Sequence, residues 1–315
     1  MAADTTSTAT PISLERAQET PDTLLGRATR RFFHHRMALI GLLILGMVIL
    51  YIALGSIVYS EADANFNNTN IRLNPPSSEH LMGTDRIGRD VLARTIFGGQ
   101  ISLMIGLFAV MMSVTVGIAV GLISGYYGGM IDSGLMRLTE AFLSIPQILI
   151  LLVLANLLRD DVPDVNILGR QLSGSVVVII GIIGLTSWMQ LSRIVRSTVL
   201  SLKETEFVLA ARALGASNRR IIFNHILPNT LAPIIVYATL GVATAILAEA
   251  YISFLGMGVR PPTATWGTML TETAEFFEDA PWLWFFPGML ILLTVMSINF
   301  VGDGIRDAID PRSDK

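Results

Sequence analysis

Six long apolar runs constrain this chain more than any other feature. They lie near residues 37–59, 98–124, 136–158, 175–195, 229–255 and 282–302. Each is close to the roughly 20 residues that a helix needs to cross a hydrocarbon layer about 30 Å thick. Inside lipid the backbone has no water to bond, so a spanning segment must satisfy its own N–H and C=O groups, as a helix does. The sequence therefore predicts an all-α integral membrane protein with six transmembrane helices. Only 15% of residues are charged and 52% are hydrophobic, against about a quarter charged in soluble domains. The second and fifth runs are long enough to tilt or to extend past the lipid. Small residues recur inside the runs: Gly117 and Gly121, Gly181 and Gly184, Ala243 and Ala248. Such positions permit close helix approach.

Charge sets the orientation. With the N-terminus inside, fifteen of the 22 Lys and Arg residues fall on the inner side and seven on the outer. An inner excess marks the cytoplasmic face, so both termini and the 196–228 loop are expected there. Residues 1–20 are rich in Ala, Thr, Ser and Pro and read as a flexible tail. Their basic region follows them and the apolar run after it is long, unlike a cleaved signal peptide. The divisions that follow are a tail with a basic interfacial segment over 1–36 and a first span with its outer loop over 37–97. A five-helix core over 98–302 comes next, then a C-terminal tail over 303–315. The outer segments 60–97 and 256–281 carry Pro75-Pro76 and Pro261-Pro262. They read as ordered caps able to meet an extracytoplasmic partner.

Several functions are excluded or left without support. Cysteine is absent, which removes disulfides and thiolate chemistry. His34, His35, His80 and His225 form no metal-binding HExxH. The only lysines, Lys203 and Lys315, follow no glycine-rich loop, so the chain has no P-loop of its own. A net charge of -3 argues against nucleic acid as a partner. No catalytic or metal-binding constellation lies at membrane depth, so the expectation is a non-enzyme without a cofactor.

The segment between the fourth and fifth runs is polar, basic and long. From Glu204 to Leu214 it places Phe207, Ala210, Ala211 and Leu214 on one helical face. Gly215 then supplies a break, and Ser217 or Asn218 can cap a second helix. There Ile221, Ile222 and His225 contrast with Arg219 and Arg220. Pro228 is expected where the next membrane helix starts, since the first helical turn tolerates its missing N–H. Composition alone fits two readings: an amphipathic segment lying on the membrane, or a dock for a soluble partner.

Spacing brings in a family. Ala210-Ala211, Gly215 four residues later and Leu227-Pro228 after a further eleven resemble the EAA coupling loop of ABC-importer permeases. Leu209 stands where that family has Glu, with Glu204 and Glu206 nearby. His225 stands where Ile is common, similar to the His-Ile-Leu-Pro-Asn form of the peptide-transporter branch. Four further stretches resemble family signatures in order: Gly83–Asp90, Gly125–Gly129 with Asp132 and Arg137, Ser253–Gly258 with Trp266-Gly267, and Gly302–Arg312. From about residue 30 onward the chain resembles ABC-transporter permeases of the dipeptide and oligopeptide importer family (DppC/OppC type).

That resemblance implies the type I importer permease fold in a bacterial plasma membrane. It implies a second homologous permease, two ATPase subunits that carry ATP and Mg, and an extracytoplasmic substrate-binding protein. The coupling residues it points to are Glu206, Ala210, Ala211, Arg212, Gly215, Arg219, Arg220, His225, Leu227 and Pro228. Di- or oligopeptides are the implied cargo; nickel chelates, glutathione and other small solutes are carried by similar proteins. A stand-alone secondary transporter is the alternative from another class, but it would need ionisable residues in mid-span.

The remaining charges leave alternatives open. Glu249, inside the fifth run, either lines the translocation path, pairs with a partner helix or sits near the outer headgroups. Arg137 is within reach of Asp132 and Glu140, or all three are interfacial anchors. Asp85, Arg86, Arg89 and Asp90 fit a short capped outer helix with an Arg86–Asp90 pair. Trp266, Trp282 and Trp284 fit an aromatic belt.

Overall fold

A computed structural model describes residues 24–158, 162–167, 170–271 and 273–309. The expected tail over 1–23 and the last residues, 310–315, lie outside that set. Helix α1 (Leu24–His34) precedes α2 (Arg36–Val58), the first span. A short α3 (Glu61–Asn65) opens the outer loop. The second span is α4 (Val91–Tyr127), followed by α5 (Gly129–Leu143) and α6 (Gln147–Leu158). Strands β1 (Val165–Ile167) and β2 (Arg170–Leu172) pair antiparallel, with Val165 opposite Leu172. Then come α7 (Gly174–Leu202), α8 (Glu206–Ala213) and α9 (Asn218–Arg220). Helices α10 (Leu227–Phe254), α11 (Trp266–Thr271) and α12 (Trp282–Ile309) complete the described residues.

Among the described residues, five helices are long and apolar enough to cross a membrane, and a sixth span forms if α5 and α6 are taken together. The predicted third span is therefore not one straight helix. It begins earlier, at Gly129, and bends by 84° between α5 and α6. Pro146 sits in the break; it lacks an N–H and disfavours helical geometry in the residue before it. The second span starts at Val91 instead of residue 98. Asp90 accepts the Ala93 N–H at 2.9 Å and so caps the helix seven residues before its most apolar stretch. The β1–β2 hairpin was not foreseen.

The α4–α7 pair is the most extensive in the fold, and its sequence cause is a glycine stripe. Gly117, Gly121 and Gly125 meet Leu191, Val195 and Val199, four residues apart on each helix. A Cβ on Gly121 would lie 2.6 Å from the Val195 Cβ, so only glycine permits this approach. Gly184 likewise packs on Met112, whereas nothing lies near Gly181. Ala243 is buried, while Ala248 lines a cavity.

Chain direction puts the starts of α2 and α10 and the ends of α4, α7 and α12 at one end of the bundle, with α8 and α9. This is the basic end. The outer loops form the far end.

Candidate functional site

At the basic end, α8 is held by one buried residue and presents the rest of its surface outward. Val208 is fully enclosed, in a cluster with Ile221, Ile222 and Ile226. Phe207, Leu209 and Leu214 are 44%, 43% and 89% exposed, which makes an apolar knob. Glu206, Ala210 and Arg212 are exposed beside it, and Ala211 is half-buried. The predicted face of Phe207, Ala210, Ala211 and Leu214 is thus largely solvent-facing. Leu209, in the place of the family's Glu, adds apolar surface to it.

Gly215 ends α8 in a left-handed conformation, φ +79°. Its N–H bonds the Arg212 carbonyl at 3.0 Å, and the Ala216 N–H bonds the Ala211 carbonyl at 3.1 Å. This pair of bonds is a Schellman closure, which satisfies helix-end carbonyls. A Cβ at Gly215 would meet nothing within 4 Å, so backbone conformation and not space requires glycine. Ser217 accepts the Arg220 N–H at 3.4 Å and caps α9.

Pro228 stands in the first turn of α10, as expected, but the helix does not start afresh there. Residues Ile221–Ile226 form a π-helical turn, and Asn218–Phe254 runs as one 37-residue helix. The Leu227 N–H reaches Ile222 through this turn, which takes up the place where Pro228 cannot donate. Asn229 Nδ2 donates to the His225 carbonyl at 2.6 Å. Arg219 and Arg220 are exposed on the rod, Leu227 and His225 are half-buried, and the His225 ring lies 6.5 Å from the Phe207 ring.

Polar bonds lock this end to the bundle. Tyr126 Oη donates to Asn218 Oδ1 at 2.8 Å, and Lys203 Nζ donates to the Gly125 carbonyl at 3.4 Å. Asp132 is gripped by Arg196, Nε to Oδ1 and Nη2 to Oδ2, both at 2.5 Å. Ser124 also donates to Asp132. The sequence allows Arg137 to pair with Asp132 or Glu140, or all three to be interfacial anchors; Asp132 is held by Arg196. Arg196, 64 residues away, was missed because no local spacing connects them.

A cavity of about 800 Å³ lies between α4, α6, α7 and α10. Its wall is mostly apolar, with Ser113, Gln147, Ser187, Gln190, Tyr237 and Tyr251 as polar groups. Among the described residues, no Asp, Glu, Lys, Arg or His contributes to that wall. Gln147, the first residue of α6, donates to Ser187 Oγ at 3.2 Å. Tyr237 of α10 donates to the Ser187 carbonyl at 2.7 Å. Three helices therefore meet at one residue on the cavity wall.

Glu249 does not face this cavity. It is fully buried and accepts hydrogen bonds from Ser253 and Thr265 at 2.6 Å each and from Ser102 at 3.4 Å. Ser102 in turn accepts the Trp266 N–H at 3.1 Å. The carboxylate ties α10 to α4 and to the entrance of α11, within one chain. Trp266 is also fully buried, donating to the Thr95 carbonyl at 2.9 Å. It belongs to the core and not to an interfacial belt. Trp284 stacks on Phe277.

The outer Gly83–Asp90 motif is a set of turns, not the expected helix. Gly83 and Gly88 have φ +73° and +78°, and a Cβ at Gly88 would collide with the Asn68 carbonyl. Within it Asp85 and Arg89 form an i,i+4 ion pair, 2.5 Å apart, with Arg94 at 3.7 Å from Asp85. Asp90 bonds His80 at 2.7 Å.

Comparison with known proteins agrees with this architecture. The family of binding-protein-dependent transport system inner membrane components matches residues 117–315. The N-terminal TM domain of oligopeptide transport permease C matches residues 23–76. The chain is 42% identical over 285 residues to the dipeptide transport system permease protein DppC of Alkalihalophilus pseudofirmus, covering 90% of this chain and 89% of that one. It is 39% identical over 291 residues to the oligopeptide permease OppC of Haemophilus influenzae, covering 90% and 88%. Among solved structures it is similar to an inward-facing MetNI methionine ABC transporter. The TM-score there is 0.53 at 20% identity, over 68% of this chain and 94% of that one. That likeness gives the type I permease fold. The glycine-ended loop, the helical core behind it and these matches together place the chain in the family of binding-protein-dependent transport system inner membrane components.

Proposed function

We propose that this chain is a permease subunit of an ATP-driven importer for di- or oligopeptides in a bacterial plasma membrane. The observation that carries the reading is the continuous helix from Asn218 to Phe254. One end of it carries the exposed loop and the other lines the cavity through Tyr237 and Tyr251. A force on the α8–α9 knob is thus delivered to the cavity wall through one rigid element.

The partners follow from what is open. The knob of Phe207, Leu209 and Leu214 fits a groove on an ATPase subunit, which supplies ATP and Mg. Helix α10 packs on α4, α7, α11 and α12, yet only 22% of its spanning window is buried. Its open side takes a second permease, which closes the cavity. The far-end caps receive the loaded binding protein. Both termini and the loop are cytoplasmic, in keeping with the surplus of Lys and Arg at that end.

The cavity chemistry suits a peptide. Amide and hydroxyl groups can pair with a peptide backbone, and a wall without charges does not discriminate among side chains. A proton- or ion-coupled carrier would instead place ionisable groups on the path.

The mechanism is alternating access. Closure of the ATPase dimer draws on the docked loop, and the 37-residue helix turns that displacement into opening or closing at the Gln147–Ser187–Tyr237 junction. The direct test is ATP hydrolysis by the complex in lipid vesicles, with and without peptide-loaded binding protein. Stimulation by the loaded protein is expected. Assembly without any response to peptides would reassign the cargo to another solute, and failure to assemble with an ATPase would end the reading.

A further inference from the structure

Helix α1 contributes no residue to the lining of the ~800 Å³ cavity, and its chemistry calls for a different partner. Between Leu24 and Tyr59 the chain has no carboxylate, while Arg27, Arg30, Arg31, His34, His35 and Arg36 are concentrated in ten residues. The helix does not simply continue the first span. His35 leaves helical geometry at φ -82° and ψ 101°, and its Nδ1 accepts the Ala38 N–H at 3.1 Å to start α2 afresh. The chain therefore turns at His35.

The bracket is fixed in place. The Phe32 ring lies against Gly304 of α12, where a Cβ would come within 3.3 Å of it. His35 Nε2 lies 3.4 Å from Asp307 Oδ2. Away from that face, among the described residues, Arg30, Phe33 and His34 are exposed, Phe33 at 60%. Arg36 is exposed at the start of α2, and the outward apolar surface of α2 begins at once with Met37 and continues through Leu39 and Ile40. The cations thus stand at the boundary where hydrocarbon gives way to headgroups, with Phe33 beside them.

We infer that α1 is an interfacial bracket that binds anionic phospholipid headgroups of the leaflet at the basic end. Arg30 and Arg36 face phosphate, and Phe33 enters the acyl boundary. The α12 segment packed against α1 contributes Asp303, Arg306 and Asp307. Two carboxylates and one further guanidinium leave the surface cationic. The bound lipid fixes the height of α1, and through Phe32 and His35 that of the α12 end.

The test uses the full chain with its co-purifying subunits in nanodiscs. Lipids retained after detergent extraction from mixed phosphatidylglycerol and phosphatidylcholine discs are counted by mass spectrometry. The wild type is expected to retain phosphatidylglycerol in preference to phosphatidylcholine. Arg30→Gln with Arg36→Gln should lower that preference by about fivefold per arginine, since each basic residue near an anionic surface contributes about 1 kcal/mol. Arg30→Lys with Arg36→Lys should restore most of it. Equal retention of the two lipids by the wild type, or unchanged preference in the glutamine variant, overturns the inference. So does displacement of the lipid by inorganic phosphate alone, which would make the ligand a free anion. None of these readouts depends on transport.

Discussion

Tyr126 Oη and Asn218 Oδ1, 92 residues apart in sequence, are 2.8 Å apart in the fold. The bond joins the end of α4 to the first residue of the long helix that follows α8, in the loop proposed to couple to an ATPase. Because α4 also forms one wall of the cavity through Ala109, Val110 and Ser113, the loop has two rigid connections to that wall. Tyr126→Phe removes the bond without removing the ring. Uptake should fall several-fold while ATP hydrolysis by the complex is retained; equal loss of both would mean that the bond serves assembly only.

Gly215→Ala isolates backbone conformation, because the site has room for a methyl group but φ is +79°. The left-handed geometry costs a non-glycine residue about 1–2 kcal/mol. The variant should insert and assemble, with uptake reduced. Gly215→Pro should uncouple fully, since proline also removes the N–H bonded to Arg212. The check is uptake against hydrolysis in matched vesicles.

The Asp132–Arg196 pair is bidentate and partly buried, with side-chain exposures of 15% and 31%. Asp132→Asn should lower stability by about 1.5–3 kcal/mol, the usual range for a hydrogen bond to a charged group, read as a lower melting temperature. Arg196→Lys should not restore it, because a single ammonium cannot reproduce the two-pronged contact.

Glu249 should behave as a structural acceptor. Glu249→Gln keeps an oxygen for Ser253 and Thr265 and should preserve uptake. Glu249→Leu leaves those buried hydroxyls without their acceptor, at about 1–3 kcal/mol each, and should lower thermal stability sharply. Loss of uptake in a thermally stable Glu249→Gln variant would return this residue to the transport path.

The absence of cysteine makes the cavity junction testable by cross-linking. Gln147→Cys with Ser187→Cys, oxidised, should stop uptake, and a reductant should restore it. Unchanged uptake in the cross-linked protein would show that α6 and α7 do not separate during transport.

Five of the six spans were legible as single helices because hydrocarbon thickness dictates run length, and the polar stretch because Ala210, Gly215 and Pro228 punctuate it. The bend at Pro146 had a visible signal, a proline inside an apolar run, but length outweighed it. The continuity of the helix through Pro228 was hidden, since a π turn has no sequence mark comparable to a cap. Glu249 could not be placed because its partners, Ser102 and Thr265, are 147 and 16 residues away. The same distance problem concealed Arg196. Gly125 was read as part of a loop signature; its packing on Val199 follows only once α4 is known to extend to Tyr127.

The most direct measurement of the central claim is peptide uptake and ATP hydrolysis, recorded together, in vesicles containing the complex with Ala211→Glu. Ala211 is half-buried beside the exposed knob, and a carboxylate there should spoil the fit to an ATPase groove. The account predicts that the complex still inserts and hydrolyses ATP but imports little or no peptide. Normal uptake by this variant would contradict the assignment of the loop as the coupling element.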